Sequence, residues 1–267
     1  MSLLVKARPG REICEVTPAS AGWKHVGFKA LRLAAGDAER LSTGERELCI
    51  VVLTGTVDVV VDGQAYTGLG RRDSVFDGPP DAIYVPGGRA VEIVASRDAE
   101  VALCTAPYQG ADGGHPVKRI DGAAMRRSVR GQGTNTRYVC DILPQDDPSA
   151  DHLLVVEVIT PGGHSSSYPP HKHDRDVPPE ETLLEETYYH RLNPPQGFAF
   201  QRVYTDDRSI DEACAVENHD VVMVPKGYHP CVAPHGYDLY YLNVMAGPGR
   251  LWHFKNDPAH EWMLKHS

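Results

Sequence analysis

Short apolar runs rich in Val, Ile, Leu and Tyr recur along this chain at close spacing, each bounded by Gly, Pro, Asp or Asn. Helical periodicity is nearly absent. The pattern predicts an all-β protein, a sandwich or barrel of short strands. In the first half, strands are expected at 47–53, 56–61, 74–76, 82–85, 90–95 and 100–106. In the second half they fall at 138–143, 152–159, 187–190, 199–204, 213–216, 220–224 and 239–244. Asp62-Gly63 offers the positive φ angles of a tight hairpin turn. The Gly-rich, basic stretch 108–133 lacks a strand pattern and reads as a linker with a short helix near 123–127. The expected division is 1–115, a linker at 116–134, and 135–267, the last with a C-terminal extension beyond about 250 that packs back across the barrels.

The two halves repeat each other. Glu47 opens an apolar strand in the first, and Glu186 does so in the second. Farther on, YVPGGR (84–89) stands against VMVPKGYH (222–229), each a strand running into a Pro-x-Gly turn. Only the second half carries histidines at these places. Ala38-Glu39-Arg40-Leu41 stands where a histidine pair would fall, and Arg89 stands where His229 would. The N-terminal copy is therefore expected to lack metal ligands and to serve packing.

Length and composition narrow the class. A chain of 267 residues suffices for one large domain or two moderate ones, and 24% charged with 41% hydrophobic residues fits a globular, ordered protein. The net charge of −9 argues against a nucleic-acid partner, because phosphate contact needs clustered Lys and Arg. Neither an apolar leader nor an 18-residue apolar run is present, so no signal peptide and no membrane contact are expected. The six scattered cysteines, without a CxxC pair, read as reduced thiols of a cytoplasmic protein.

Candidate chemistry concentrates at 161–191 and 219–245. His171 and His173 would share one face of a strand. With a glutamate from the pair Glu185-Glu186 and the distant His229, they form a mixed N/O set suited to a borderline divalent metal. Tyr188 and His190 share a face with Glu186, the first as an acid or hydrogen-bond donor and the second as a proton carrier. Tyr241 and Asn243 share a face of the later strand and would bound the pocket. Lys172 should point away from the metal. Arg202, a cation inside the apolar run FAFQRVY, is the first candidate to hold a substrate carboxylate, with Arg137 second.

HKH, a Glu-led strand, PKGYH and YYLN together match the two motifs of cupins, small antiparallel jelly-roll (RmlC-like) barrels. Longer strings resemble the bicupin uronate isomerases of bacterial inositol catabolism: GRRDSVFDGPPDAIYVP (70–86), GQGTNTRYVCDILP (131–144), SSYPPHKHD (166–174) and VPKGYHPCVAPHGYDLYYLNVMAG (224–247). That resemblance implies a bicupin with one metal in its C-terminal barrel, held by His171, His173, Glu186 and His229. It also implies a cytoplasmic aldose–ketose isomerase acting on a small uronate. Thirteen positions separate His173 from Glu186, more than in the general cupin motif, so Glu185 competes as the ligand. The E-x-Y pattern of the related ketouronate isomerases favours Glu186. Zinc is the first choice of metal, then manganese, with iron(II) allowed. The candidate catalytic residues are Tyr188, His190, Arg202 and Tyr241, with the base among them left open. A related uronate isomerase, a metal-dependent cupin dioxygenase and a sugar-binding cupin are the alternatives. No dinucleotide fingerprint appears, so no nicotinamide is expected. Edge strands leave a homo-oligomer open.

Overall fold

A computed structural model describes residues 2–110 and 114–265. It is a bicupin, two antiparallel jelly-roll barrels, and its one α-helix among the described residues is Pro18–Ala21. One compact unit takes the described residues of 8–126 together with 141–155; the other takes 2–7, 127–140 and 156–265. This differs from a division at 115 and 134 because pairing is not local. Leu4–Val5 pairs with Val221–Val224, and Lys118–Ile120 pairs with Asp81–Val85. The expected linker therefore holds strands and a 3₁₀ turn at Gly122–Ala124 in place of the expected helix. Ala111–Gly113 of that stretch lie outside the described residues.

In the first unit the sheet runs Glu12–Val16, Gly27–Leu33, Ala90–Pro107, Arg46–Val61, Asp81–Val85, Lys118–Ile120. Two of these strands were each expected as a pair. The break expected at Thr54-Gly55 is a bulge inside Arg46–Val61, which bends the strand without ending it. Gly55 sits there at φ 83°, and a Cβ would lie 2.2 Å from the Asp98 carbonyl oxygen. The hairpin at Asp62-Gly63 forms as expected, with Val61 facing Gln64. Residues 74–76, expected as a strand, are a turn closed by Asp77 N–H donating to the Ser74 carbonyl. Val75 is buried there beside the Arg72 guanidinium, which caps carbonyls in place of a strand partner. Aliphatic side chains, among them Leu48, Ile50, Val52, Val59, Ile83 and Ile93, fill the interior.

A further sheet, which carries most of the second unit's strands, runs in the order Leu4–Val5, Val221–Val224, Glu185–Asn193, Asp238–Ala246, Leu154–Thr160, Arg137–Leu143, Arg126–Arg130. A four-stranded sheet runs Ser165–Ser166, Cys231–Val232, Phe198–Tyr204, Asp211–Glu217. A third, two-stranded ribbon joins His171–Lys172 to Lys255–Asn256. That ribbon ties a C-terminal strap to the histidine loop.

Candidate metal centre and adjoining cavity

Two separate segments bring His171, His173 and His229 together, with one ligand atom of each within 4.8 Å of the others. The first two flank Lys172 on the ribbon. Lys172 points away, as alternation requires, into a pairing with Asp174 and Asp206. His229 follows the Pro225-Lys226-Gly227 turn. Gly227 takes φ 96° there, and any Cβ would strike the Tyr204 carbonyl at 2.5 Å. Glu186 opens the Glu185–Asn193 strand, paired with Val224 on one side and Met245 on the other. Its Oε2 lies 3.1 Å from His173 Nε2 and 3.2 Å from His229 Nε2. Glu185, one residue away, belongs to the opposite face.

The tautomers follow from the partners. His173 Nδ1 donates to the Leu184 carbonyl at 3.0 Å, and His229 Nδ1 donates to the Gly227 carbonyl at 2.8 Å. Each imidazole thus turns an Nε2 lone pair toward the same carboxylate oxygen, an arrangement that repels unless something positive sits between. A proton can serve one of them. Burial works against a charged His173, but the Glu186 carboxylate and the Leu184 carbonyl outweigh it and raise its pKa. His229 is pushed down to about 4 by burial, only partly countered by Glu186, so it stays neutral. Its Nε2 is buried without a hydrogen bond. His171 is held well below its ordinary value by burial and by the other two imidazoles. Two imidazoles held neutral, and a third drawn toward positive charge by the same buried carboxylate, fit a divalent cation.

Beside this cluster lies a cavity of about 440 Å³, into which His171 opens. Tyr188, Tyr241 and Asn243 line it, as their strand parity indicates. The Tyr188 hydroxyl lies 3.2 Å from Ser167 Oγ and its ring 5.7 Å from that of His229. Burial, then Glu186, raises the Tyr188 pKa, so the phenol keeps its proton. Asn243 is 4% exposed and its Nδ2 makes no hydrogen bond within the protein.

Two expectations are corrected. Arg202 is not in the cavity: it is solvent-facing and clamps Asp211 through two 2.8 Å bonds. The strand Phe198–Tyr204 buries Ala199, Gln201 and Val203, so the arginine shares its outer face with Phe198 and Phe200. His190 does not line the cavity either. It is fully buried, its Nε2 bonded to Gln201 Oε1 at 2.9 Å, with its ring stacked behind Tyr188 at 6.0 Å. Cations do reach the cavity, through Arg137, the second candidate, and Arg130, which was read only as part of a basic linker. Burial lowers the Arg137 pKa. No carboxylate lines the cavity among the described residues.

A C-terminal extension is expected from the sequence, but its contacts with the histidines are not. Phe254 packs its ring 4.6 Å from His171, and Trp252 lies alongside and under Arg130. No periodicity ties the segment 251–262 to the histidines.

The KduI/IolB family model matches residues 3–263. Relatives include a 5-deoxy-glucuronate isomerase of Halalkalibacterium halodurans, 53% identical over 94% of this chain and 92% of that one. Another of the same description, from Bacillus subtilis (strain 168), is 52% identical with the same coverage. Among solved structures, an IolB-like protein from Salmonella typhimurium LT2 superposes with a TM-score of 0.95 at 46% identity, covering 99% of this chain and all of its own. Bacillus subtilis oxalate decarboxylase shares the fold at 13% identity, with a TM-score of 0.65 over 95% of this chain and 78% of its own.

Proposed function

From the premise that this chain belongs to the KduI/IolB family, we propose that it is an aldose–ketose isomerase converting 5-deoxy-D-glucuronate to 5-dehydro-2-deoxy-D-gluconate in the cytoplasm. The observation that carries this reading is the meeting of the histidine–glutamate cluster with a cavity lined, among the described residues, by two arginines and no carboxylate. A substrate that is an aldehyde at one end and a carboxylate at the other matches both.

His171, His173, Glu186 and His229 would hold a divalent cation, with zinc first and then manganese or iron(II). Bound there, it supplies Lewis-acid polarisation of the C1 carbonyl and C2 hydroxyl, which eases loss of the C2 proton. Arg137 and Arg130 orient the far carboxylate, the role first assigned to Arg202. Asn243 Nδ2 is a donor for a substrate hydroxyl. Tyr188, protonated and fixed by Ser167, donates toward the oxygens on which charge develops, and Tyr241 closes the same wall. His190 orients Tyr188 from behind and touches no substrate. The strap keeps water away from the reacting carbons.

The deciding experiment is turnover of 5-deoxy-glucuronate in D₂O, followed by NMR and paired with metal analysis. A proton shift through the protein places deuterium on the former aldehyde carbon, and chelation abolishes turnover. A fully metallated protein that leaves the substrate unchanged defeats the reading.

A further inference from the structure

The order of strands in the large sheet arranges the cavity as a sequence of chemistries. Glu186 and Tyr188 stand on Glu185–Asn193, and Tyr241 and Asn243 on the next strand, Asp238–Ala246. Leu154–Thr160 follows with Val156 and Val158, then Arg137–Leu143 with Arg137 and Val139, then Arg130 on the last strand. All but Glu186 line the cavity. At about 4.8 Å per strand, the carboxylate ligand and Arg137 stand on strands roughly 14 Å apart. The Arg137 guanidinium is held by Asn135, donating through Nη1 to its carbonyl at 3.1 Å and to its Oδ1 at 3.2 Å. Polar groups thus cluster at the cation end, arginines stand at the other, and three buried valines lie between them around the base of Arg137.

We infer that Val139, Val156 and Val158 select the substrate by its missing hydroxyl. The inference rests on the isomerase reading above. With C1 and C2 at the histidine cluster and the carboxylate on Arg137, the carbon beside the carboxylate is C5, and it falls against the valines. On the deoxy substrate that carbon is a methylene, which an apolar wall accommodates. On glucuronate it carries a hydroxyl that would lose water and find no partner. The valines are 4%, 3% and 6% exposed, so what each presents to the cavity is a small, wholly apolar face. The nearby amide of Asn135 is committed, donating to the Tyr168 carbonyl and accepting from Arg137. Gln132 is exposed at the rim.

An apolar wall rejects an added hydroxyl by about a hundredfold, which sets the expected size of the effect. The test measures kcat/KM of the metal-loaded wild-type protein on 5-deoxy-glucuronate and on glucuronate. A preference of roughly 30- to 300-fold for the deoxy compound is expected. Equal rates on both would overturn the inference and leave the isomerase reading standing; no turnover of either would bring down that reading and this one with it. Val156→Thr and Val158→Thr, each nearly isosteric but with a hydroxyl to offer, should cut the preference at least fivefold. If folded variants with full metal content keep the wild-type preference, selection lies elsewhere and the valines have no part in it.

Discussion

At the scale of single residues, the four converging side chains were legible because HxH and Pro-x-Gly-x-His spacings fix which atoms can meet. The choice between Glu185 and Glu186 was not, since parity is lost across a loop; the pairing of Glu186 with Val224 resolves which one faces the imidazoles. Glu186→Gln should therefore lose most bound metal and at least about a hundredfold in kcat/KM, while Glu185→Gln keeps its metal, read by elemental analysis. The misplaced arginine has a physical cause. Alternation says which residues share a face but not which face looks inward, and Phe198 and Phe200 made the outer face look like the inner one. Arg137→Met should raise KM by about a hundredfold with kcat little changed, as expected for a lost charged hydrogen bond of about 2–3 kcal/mol. Arg202→Met should leave both constants within about twofold, because an exposed ion pair contributes less than about 1 kcal/mol. His190 makes a pH prediction. Burial depresses it to about 4, so below the unfolded value near 6.5 the unfolded chain takes up a proton that the folded one refuses. Its contribution to stability is intact above about pH 6.5 and falls away between there and pH 4, by about 3 kcal/mol. Denaturation midpoints of wild type and His190→Gln at pH 7 and 4.5 should show that slope flattened in the variant.

At the scale of elements, most strands fall where apolar runs placed them, while the joins do not. Bulges leave no mark in an apolar run except a glycine, so Arg46–Val61 and Ala90–Pro107 each read as two pieces. The strap illustrates the other gap, because its hold is made by backbone atoms. Thr182 N–H donates to the His253 carbonyl at 2.9 Å, and Asp257 N–H to the Pro170 carbonyl at 2.8 Å. Side chains add to it: Thr182 Oγ1 donates to the Leu251 carbonyl at 2.7 Å and accepts from His253 N–H at 3.0 Å, and Asp257 Oδ2 accepts from the buried Tyr204 hydroxyl at 2.7 Å. Asp257→Ala leaves that hydroxyl unpaired, at a cost of about 1–3 kcal/mol. Because the strap pairs with His171, the same substitution should weaken metal retention on dialysis, whereas Tyr204→Phe in the Asp257→Ala background should recover stability but not metal.

At the scale of the whole molecule, a glutamate stands at the head of a strand in both units with different consequences. Glu47 is fully buried in the first, where it accepts from Asp151, His152 and Leu153 N–H and from the Tyr84 hydroxyl, at 2.6–2.8 Å. The duplication was legible; that the segment 141–155 returns to satisfy this carboxylate was not, because nothing local announces a partner a hundred residues away. Glu47→Ala should destabilise the protein by about 3 kcal/mol or more, through four orphaned donors, without changing metal content. Chelation should instead lower the melting temperature of wild type and leave the loss caused by Glu47→Ala unaltered. The pairing of Leu4–Val5 with Val221–Val224 bears on how the protein is made. Those first residues leave the ribosome more than two hundred residues before their partners, and at roughly 5–20 residues per second they wait on the order of ten to forty seconds. By then every segment of the first unit has been translated, whereas His229 has not. A nascent chain stalled in that interval carries every segment of the apolar barrel and an incomplete histidine cluster, so the cell meets the apolar barrel first and the histidine-bearing one later.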